Sequence, residues 1–327
     1  MKFVCDLDFE ICDFMKIPAI LFSALIVLSI SSPAHAFWLW NPKTKKFFNP
    51  KYSTQKPPVQ QFNDAMKLYE SKQYELAFQE FQKLFKSYPQ VREAAEAQYY
   101  AGRCLEEMGE HYAAFEHYQM VINKYPFSER AGDIIERQYN LGNKYVEYLR
   151  SSNAFLSIMR GSMDKATEIY ETVIKNAPYG DYAGAAQFKI GEYLWSRGWY
   201  DEARDAFQKT VDDYPNSVWA KQARYQLALT DKKRSMEYAH DSKTGQEAIE
   251  QFEQVIEMNP EASEEARKNI DELRFNEARH QFEVGVFYEK QEKYNAAKMY
   301  YQKVIDRYPQ TSWAKDAAGK IEALPKP

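Results

Sequence analysis

The chain has 327 residues and 45% apolar content, enough to bury a large core as one domain, as two, or as a solenoid. Tyrosine and phenylalanine are heavily used, with 25 and 20 copies against 12 glycines, which disfavours a loop-rich β protein and suits packed helices with aromatic anchors. The net charge of −4 is small for this length and gives no reason to expect nucleic acid or a strongly anionic membrane as the main partner.

At the amino terminus, Ile17 to Ile30 is an apolar run of secretory h-region length, followed by Ser31-Ser32-Pro33 and the small-x-small site Ala34-His35-Ala36. A bilayer-spanning helix would need about 20 apolar residues. Residues 1–36 therefore read as a signal peptide, cut between Ala36 and Phe37. Residues 1–14 carry Asp6, Asp8, Glu10 and Asp13 against Lys2, the opposite of a positive n-region, so Met15-Lys16 reads as the true start. Cys5 and Cys12 are then lost, and Cys104 is left as an ordinary core thiol with no intramolecular disulfide to form. A lipoprotein would present cysteine after the cut. With Phe37 there, the expected mature protein is lipid-free, soluble or peripheral, and periplasmic.

Residues 37–57 form a basic aromatic extension. It opens Phe37-Trp38-Leu39-Trp40-Asn41-Pro42 and carries five lysines and no acid through Lys56. Trp38 and Trp40 with these lysines suit a lipid interface. The alternatives are that the segment folds back as a cap on the first repeat or stays unfolded.

From residue 58 a fixed pattern recurs: alanine, an aromatic four residues on, and proline twelve residues after the alanine. It falls at Ala77/Phe81/Pro89, Ala114/Tyr118/Pro126, Ala166/Tyr170/Pro178, Ala203/Phe207/Pro215, Ala248/Phe252/Pro260 and Ala297/Tyr301/Pro309. Alanine lets a helix B approach its partner, the aromatic one turn later fills the core, and proline ends the helix because it has no amide hydrogen. Ahead of each stands an aromatic with glycine or alanine three residues on, usually after glutamine. These are Phe62/Ala65, Tyr99/Gly102, Tyr139/Gly142, Phe188/Gly191, Tyr225/Ala228 and Phe282/Gly285. This is helix A. Glycine inside a helix costs about 0.8–1 kcal/mol against alanine, so its recurrence at one phase predicts a close crossing that a larger side chain would block.

These residues resemble the tetratricopeptide repeat (TPR) over 58 to 320. The resemblance implies an all-α, right-handed superhelical solenoid of six hairpins, at about 58–91, 92–127, 128–180, 181–216, 217–262 and 275–310, with a polar capping helix in 311–324. The cap is read at Ser312 to Leu324, with Trp313, Ala317 and Ile321 on one face. Three spacings depart from the repeat. Gly142 to Ala166 spans 24 residues and Ala228 to Ala248 spans 20, and Pro260 to Gln281 spans 21 where 9 is usual. The first insertion contains Ser151 to Met163, where Phe155, Leu156, Ile158 and Met159 either dock a partner or tuck against helix B of repeat 3. The last predicts a long polar helix from Glu261 to about Glu289, a spacer held by i,i+4 pairs.

Catalysis finds little support. His111, His117, His240 and His280 have no metal-binding spacing. His111 occupies the slot of Tyr74, Tyr200 and Tyr294, which marks a packing residue. There is no phosphate-cradling glycine loop and no nucleophile elbow. No enzyme activity and no cofactor are expected, and other proteins are the expected partners. The recurrent helix A aromatics are first of all a packing requirement, with concave exposure as the alternative. The groove-lining set is Phe62, Met66, Tyr69, Tyr99, Arg103, Glu192 and Trp195, since residues outside the signature carry specificity. In the first two repeats, apolar side chains beside Arg103 suit an extended peptide with alternating aromatics and a free carboxylate.

An opening Pro57-Pro58-Val59-Gln60-Gln61-Phe62-Asn63-Asp64-Ala65 and an ending with Phe287-Tyr288-Glu289, Tyr294-Asn295-Ala296-Ala297 and Val304 to Thr311 resemble the BamD family of outer-membrane barrel assembly factors. Tyr125-Pro126-Phe127-Ser128 is similar to that family's link between repeats. The resemblance is strongest in the first and last hairpins. It implies a periplasmic scaffold at the inner face of a Gram-negative outer membrane, with possible peripheral contact. Such a scaffold would hold the barrel insertase through its carboxy-terminal repeats and receive unfolded barrel precursors at its amino-terminal ones. Six repeats rather than five, and Phe37 rather than cysteine, depart from the family pattern. A Tol-Pal-associated partner, resembled by Tyr182 to Ala186 and Tyr214 to Ala220, and a scaffold gripping peptidoglycan or exported polysaccharide machinery are the alternatives.

Overall fold

The computed structural model describes residues 38–41, 45–49, 53–151, 162–237, 242–258 and 263–325. The signal-peptide reading, the candidate docking residues Phe155, Leu156, Ile158 and Met159, and His240 lie outside them. The chain divides into two compact units at 97/98, each taken by itself below.

The first unit opens with a feature that the sequence reading does not contain. Strands β1 (Leu39–Asn41) and β2 (Lys46–Phe48) pair antiparallel, with Leu39 opposite Phe48, Trp40 opposite Phe47 and Asn41 opposite Lys46. Three residues per strand are too few for the alternation that marks a strand in sequence. Helices α1 (Pro58–Glu70) and α2 (Tyr74–Ser87) follow as the first hairpin. Pro58 suits the first turn of α1, where its missing amide hydrogen costs nothing.

Helix α3 (Arg92–Glu107) crosses the division. The second unit continues with α4 (His111–Lys124), α5 (Ala131–Ser151) and α6 (Ser162–Asn176). Next come α7 (Ala183–Ser196), α8 (Tyr200–Asp213), α9 (Val218–Glu237) and α10 (Ser242–Met258). The unit closes with α11 (Ser263–Lys290), α12 (Tyr294–Arg307) and α13 (Ser312–Ala323). The described residues are all-α apart from the β hairpin, and each Ala/aromatic/Pro signature has its alanine and aromatic on a helix B. The 28-residue α11 merges the polar spacer and the last helix A into one element.

The helix A small residue and the helix B aromatic meet. A Cβ built on Gly102 would lie 2.8 Å from the Tyr118 ring; on Gly142, 2.7 Å from Tyr170; on Gly191, 2.5 Å from Phe207; and on Gly285, 2.5 Å from Tyr301. Beside each contact the helix A aromatic packs on the same ring. Centroid distances are 5.7 Å for Phe62–Phe81 and Tyr99–Tyr118, 6.2 Å for Tyr139–Tyr170, 5.5 Å for Phe188–Phe207, 5.9 Å for Tyr225–Phe252 and 5.3 Å for Phe282–Tyr301. All six helix B rings are fully buried, each stabilising its hairpin by about 1.5–3 kcal/mol.

The glutamine that precedes five of the six helix A aromatics, all but Tyr225, which follows Arg224, is also buried and ties helix A to helix B. Gln61 donates to the Glu80 carbonyl at 3.0 Å, Gln98 to His117 Nδ1 at 2.8 Å and Gln187 to the Ala206 carbonyl at 3.3 Å. Gln281 accepts from Lys303 at 3.1 Å. Gln138 donates to Gln119 and accepts from Asn176, both at 3.0 Å. A buried amide left unpaired would cost about 1–3 kcal/mol, so the recurrence of glutamine at one phase is a packing requirement.

Two turn types join the helices. Within hairpins a left-handed residue closes helix A: Gly109 at φ +80°, Gly198 at +79°, and Lys72 and Glu292 at +60°. Between hairpins the amides of Val91, Ser128, Gly180, Ser217 and Thr311 donate to carbonyls three residues earlier, at 2.9–3.4 Å. Pro89, Pro126, Pro178, Pro215 and Pro309 occupy the second position of these turns, where their fixed φ belongs.

Candidate protein-binding surface

The inter-hairpin turns hold their third residue out into solvent. In three of them that residue is Gln90, Asn216 or Gln310, and in the other two it is Phe127, 98% exposed, and Tyr179, 99% exposed. These aromatics close consecutive hairpins of the second unit, at the end of the stack where one hairpin passes to the next. An aromatic side chain held in water by a proline turn gains nothing for the fold, and its contrast with the polar residues of the sister turns makes it a candidate contact residue. The sequence reading missed both as site residues. The signal was available, since the residue after the closing proline is polar in the sister repeats. The last hairpin adds Phe287 and Met299, each more than half exposed.

The groove candidates sit differently from one another. Phe62, Met66 and Tyr69 lie half-buried on α1 in the first unit, with Tyr69 edge-on to Tyr74 at 5.6 Å. In the second unit Tyr99 is buried. Its hydroxyl donates to Asp133 at 2.6 Å, Arg137 donates to that hydroxyl at 3.1 Å, and the Arg130 guanidinium covers its ring at 4.9 Å. Arg103 is half-buried and lies 3.5 Å from the same hydroxyl. Tyr99 is thus already occupied by a charged cluster. That cluster continues to Glu106, which accepts from Tyr118 at 2.9 Å, Lys144 at 3.1 Å and Arg137 at 3.3 Å. Burial pushes the Glu106 carboxyl up, but the Lys144 and Tyr118 hydrogen bonds and the Arg137 charge outweigh it and hold the group below the ordinary carboxylate range.

Glu192 and Trp195 lie half-buried on α7. Glu192 accepts from Lys189 at 2.6 Å and lines a cavity of about 330 Å³ with Phe188, Val218, Lys221 and Tyr225. Burial, aided by Glu265, pushes the Tyr225 hydroxyl up to about 12. Apolar floor, lysine rim and a neutral phenol suit a peptide segment better than a reaction. The indole nitrogen of Trp195 is buried with no hydrogen-bond partner among the described residues.

A second buried charge holds α8, α9 and α10 together. Asp231 has no exposed surface. It accepts from Arg204 at 3.0 and 3.2 Å, from Arg234 at 2.8 Å and from Gln251 at 2.9 Å. Arg234 also reaches Asp201 at 2.7 Å. These donors engage both carboxylate oxygens, which marks the group as a joint between helices. Among the described residues no group of three His, Cys, Asp or Glu is placed to hold a metal, and no helix is long and apolar enough to cross a membrane.

Paired helices with a small residue under an aromatic, glutamine cross-links and proline turns define a tetratricopeptide-repeat scaffold, and a TPR family model matches residues 96–128. A second family model, YfiO, described as outer membrane lipoprotein, matches residues 151–324. The chain belongs to this YfiO family, the BamD outer membrane lipoproteins. The match takes in the middle and last repeats and leaves out the first hairpin, although residues 57–65 resemble the family in sequence. No protein of curated function matches. Among solved structures, the C-terminal part of a TPR repeat-containing protein from Cytophaga hutchinsonii is 14% identical, covering 81% of this chain and 88% of its own, at a TM-score of 0.38. A thermophilic TPR protein from Thermus thermophilus is 16% identical, covering 66% and 98%, at 0.34. MamA from Desulfovibrio magneticus is 17% identical, covering 64% and 98%, at 0.34. Likenesses at these scores say nothing about function.

Proposed function

We propose that the chain is a non-catalytic periplasmic scaffold in outer-membrane barrel assembly, holding the barrel insertase and its unfolded precursors by protein–protein contact. Family membership supports the pathway, and the observation that carries a binding role is the pair Phe127 and Tyr179, aromatic and fully exposed where sister turns are polar. Phe287 and Met299 on the last hairpin support an insertase contact there. The test is co-purification of the insertase from envelopes carrying the chain with Phe127→Ser and Tyr179→Ser. Loss of the insertase or of bound precursors, with the helical melting curve unchanged, supports the reading. Unchanged co-purification removes these residues from it, and recovery of a Tol-Pal component instead replaces the pathway.

A further inference from the structure

We infer that the β hairpin at 39–48 is a membrane-surface anchor that lays its aromatic face on anionic phospholipid. Trp40 and Phe47 are directly opposite in the register and their rings meet at 5.0 Å. Trp38 precedes Trp40 by two residues and so shares its face. Trp38 is 60%, Trp40 51% and Phe47 64% exposed. Three large aromatics on one face of a two-stranded ribbon stay more than half exposed, and an isolated hairpin this short gains little stability in water.

Chemistry selects the occupant. Tryptophan prefers the depth of lipid headgroups, where its ring is apolar on one side and wet on the other. The flanking charge has a single sign, with five lysines and no acid from Phe37 to Lys56. Lys56 pairs with Asp64 at 2.7 Å, which leaves Lys43, Lys45, Lys46 and Lys51 as the basic residues around the hairpin, whereas acids and bases are mixed through the repeats. Lys45 is exposed and takes a left-handed φ of 52° immediately before β2. Basic residues beside interfacial aromatics match an anionic leaflet. The segment that follows the hairpin is tied to the first helical pair. Asn49 is buried, the Ser53 amide and hydroxyl donate to the Asn49 carbonyl at 3.0 and 2.9 Å, the Thr54 amide donates to Ser87 at 3.1 Å and its hydroxyl donates to Gln61 at 2.8 Å. An anchored hairpin therefore holds the first helical pair near the surface.

The test is flotation of the protein, as processed in and purified from the cell envelope, with vesicles of phosphatidylethanolamine and phosphatidylglycerol. Reversible binding on the order of 10⁴ M⁻¹ is expected, the strength of a single acyl chain. The Trp38→Ser, Trp40→Ser, Phe47→Ser variant keeps every lysine and should bind about tenfold more weakly or worse. Exchanging Trp40 and Phe47 for each other should restore binding, since both rings remain. Pure phosphatidylcholine should bind more weakly than the anionic mixture. Equal flotation of wild type and triple-serine variant overturns the inference, because lysines or another segment would then carry the contact. So does absence of vesicle binding by the wild type, which would leave the aromatic face to a protein partner.

Discussion

Replacing Asp231 by asparagine removes one charge at almost constant volume. The carboxylate accepts from three N–H groups, on Arg204, Arg234 and Gln251, with the Arg204 Nε–H shared between both oxygens, and an amide nitrogen in place of one oxygen would face donors instead of accepting from them. Breaking a fully buried pair costs about 3–5 kcal/mol. Here the arginine side chains are 30% and 24% exposed, so water relieves part of their lost pairing, and Arg234 keeps Asp201. The estimate falls to about 2–4 kcal/mol. For a unit of this size that lowers the melting midpoint by roughly 5–12 °C. The loss sits at the contact between the fourth and fifth hairpins. Because repeat arrays depend on nearest-neighbour terms, hydrogen exchange should rise in α8 to α10 and stay unchanged in α12. Thermal denaturation followed by far-ultraviolet circular dichroism measures the first effect and exchange mass spectrometry the second. A midpoint within about 1 °C of wild type would refute the joint assigned to Asp231.

Gly191→Ala brings a methyl to 2.5 Å from the Phe207 ring, so overpacking of about 1–3 kcal/mol should outweigh the gain of about 1 kcal/mol in helix propensity, read as a lower melting midpoint. Lys72→Gly and Glu292→Gly each relieve a left-handed backbone at φ 60° and should stabilise by about 1 kcal/mol in chemical denaturation. Glu106 and Asp133 are held below ordinary carboxylate pKa values despite burial, by Lys144 and Tyr118 in one case and by Tyr99 and Arg137 in the other. Their stabilisation is therefore complete above the unfolded values of about 4 and is lost as pH falls through the lower folded ones. A denaturation series from neutral to acid pH should show this loss, with a shallower slope in Glu106→Gln.

What the sequence made legible was whatever recurred. Ala203, Phe207 and Pro215 could be read because five other repeats carry the same spacing, and Gly191 opposite Phe207 followed from its phase. The partner of Tyr118 was also recoverable. Glu106 stands four residues after Gly102 and Glu289 four after Gly285, and both accept the hydroxyl of the helix B tyrosine, at 2.9 Å from Tyr118 and within bonding distance from Tyr301. Where the helix B aromatic is Phe81, Phe207 or Phe252, the same slot holds Tyr69, Trp195 or Lys232; Tyr170 departs from the pattern, with Val146 in the slot and its hydroxyl donating to Asn143 at 2.9 Å. Asp231 occurs once and brings together donors from three helices, so no period betrays it. The β hairpin is likewise a single feature whose strands are too short to alternate. Phe127 and Tyr179 fell between the two cases, visible only when the polar residues after the other prolines are set beside them.

If the exposed turn aromatics of this YfiO-family scaffold contact the barrel-assembly machinery, a photoreactive phenylalanine analogue at position 127 or 179 in intact cells will capture it on irradiation, with position 216 as the control at the same place in a sister turn. Adducts with the barrel insertase or a barrel precursor are expected from 127 and 179 and few from 216. Equal capture from all three positions, or no adduct from 127 and 179, would contradict that contact.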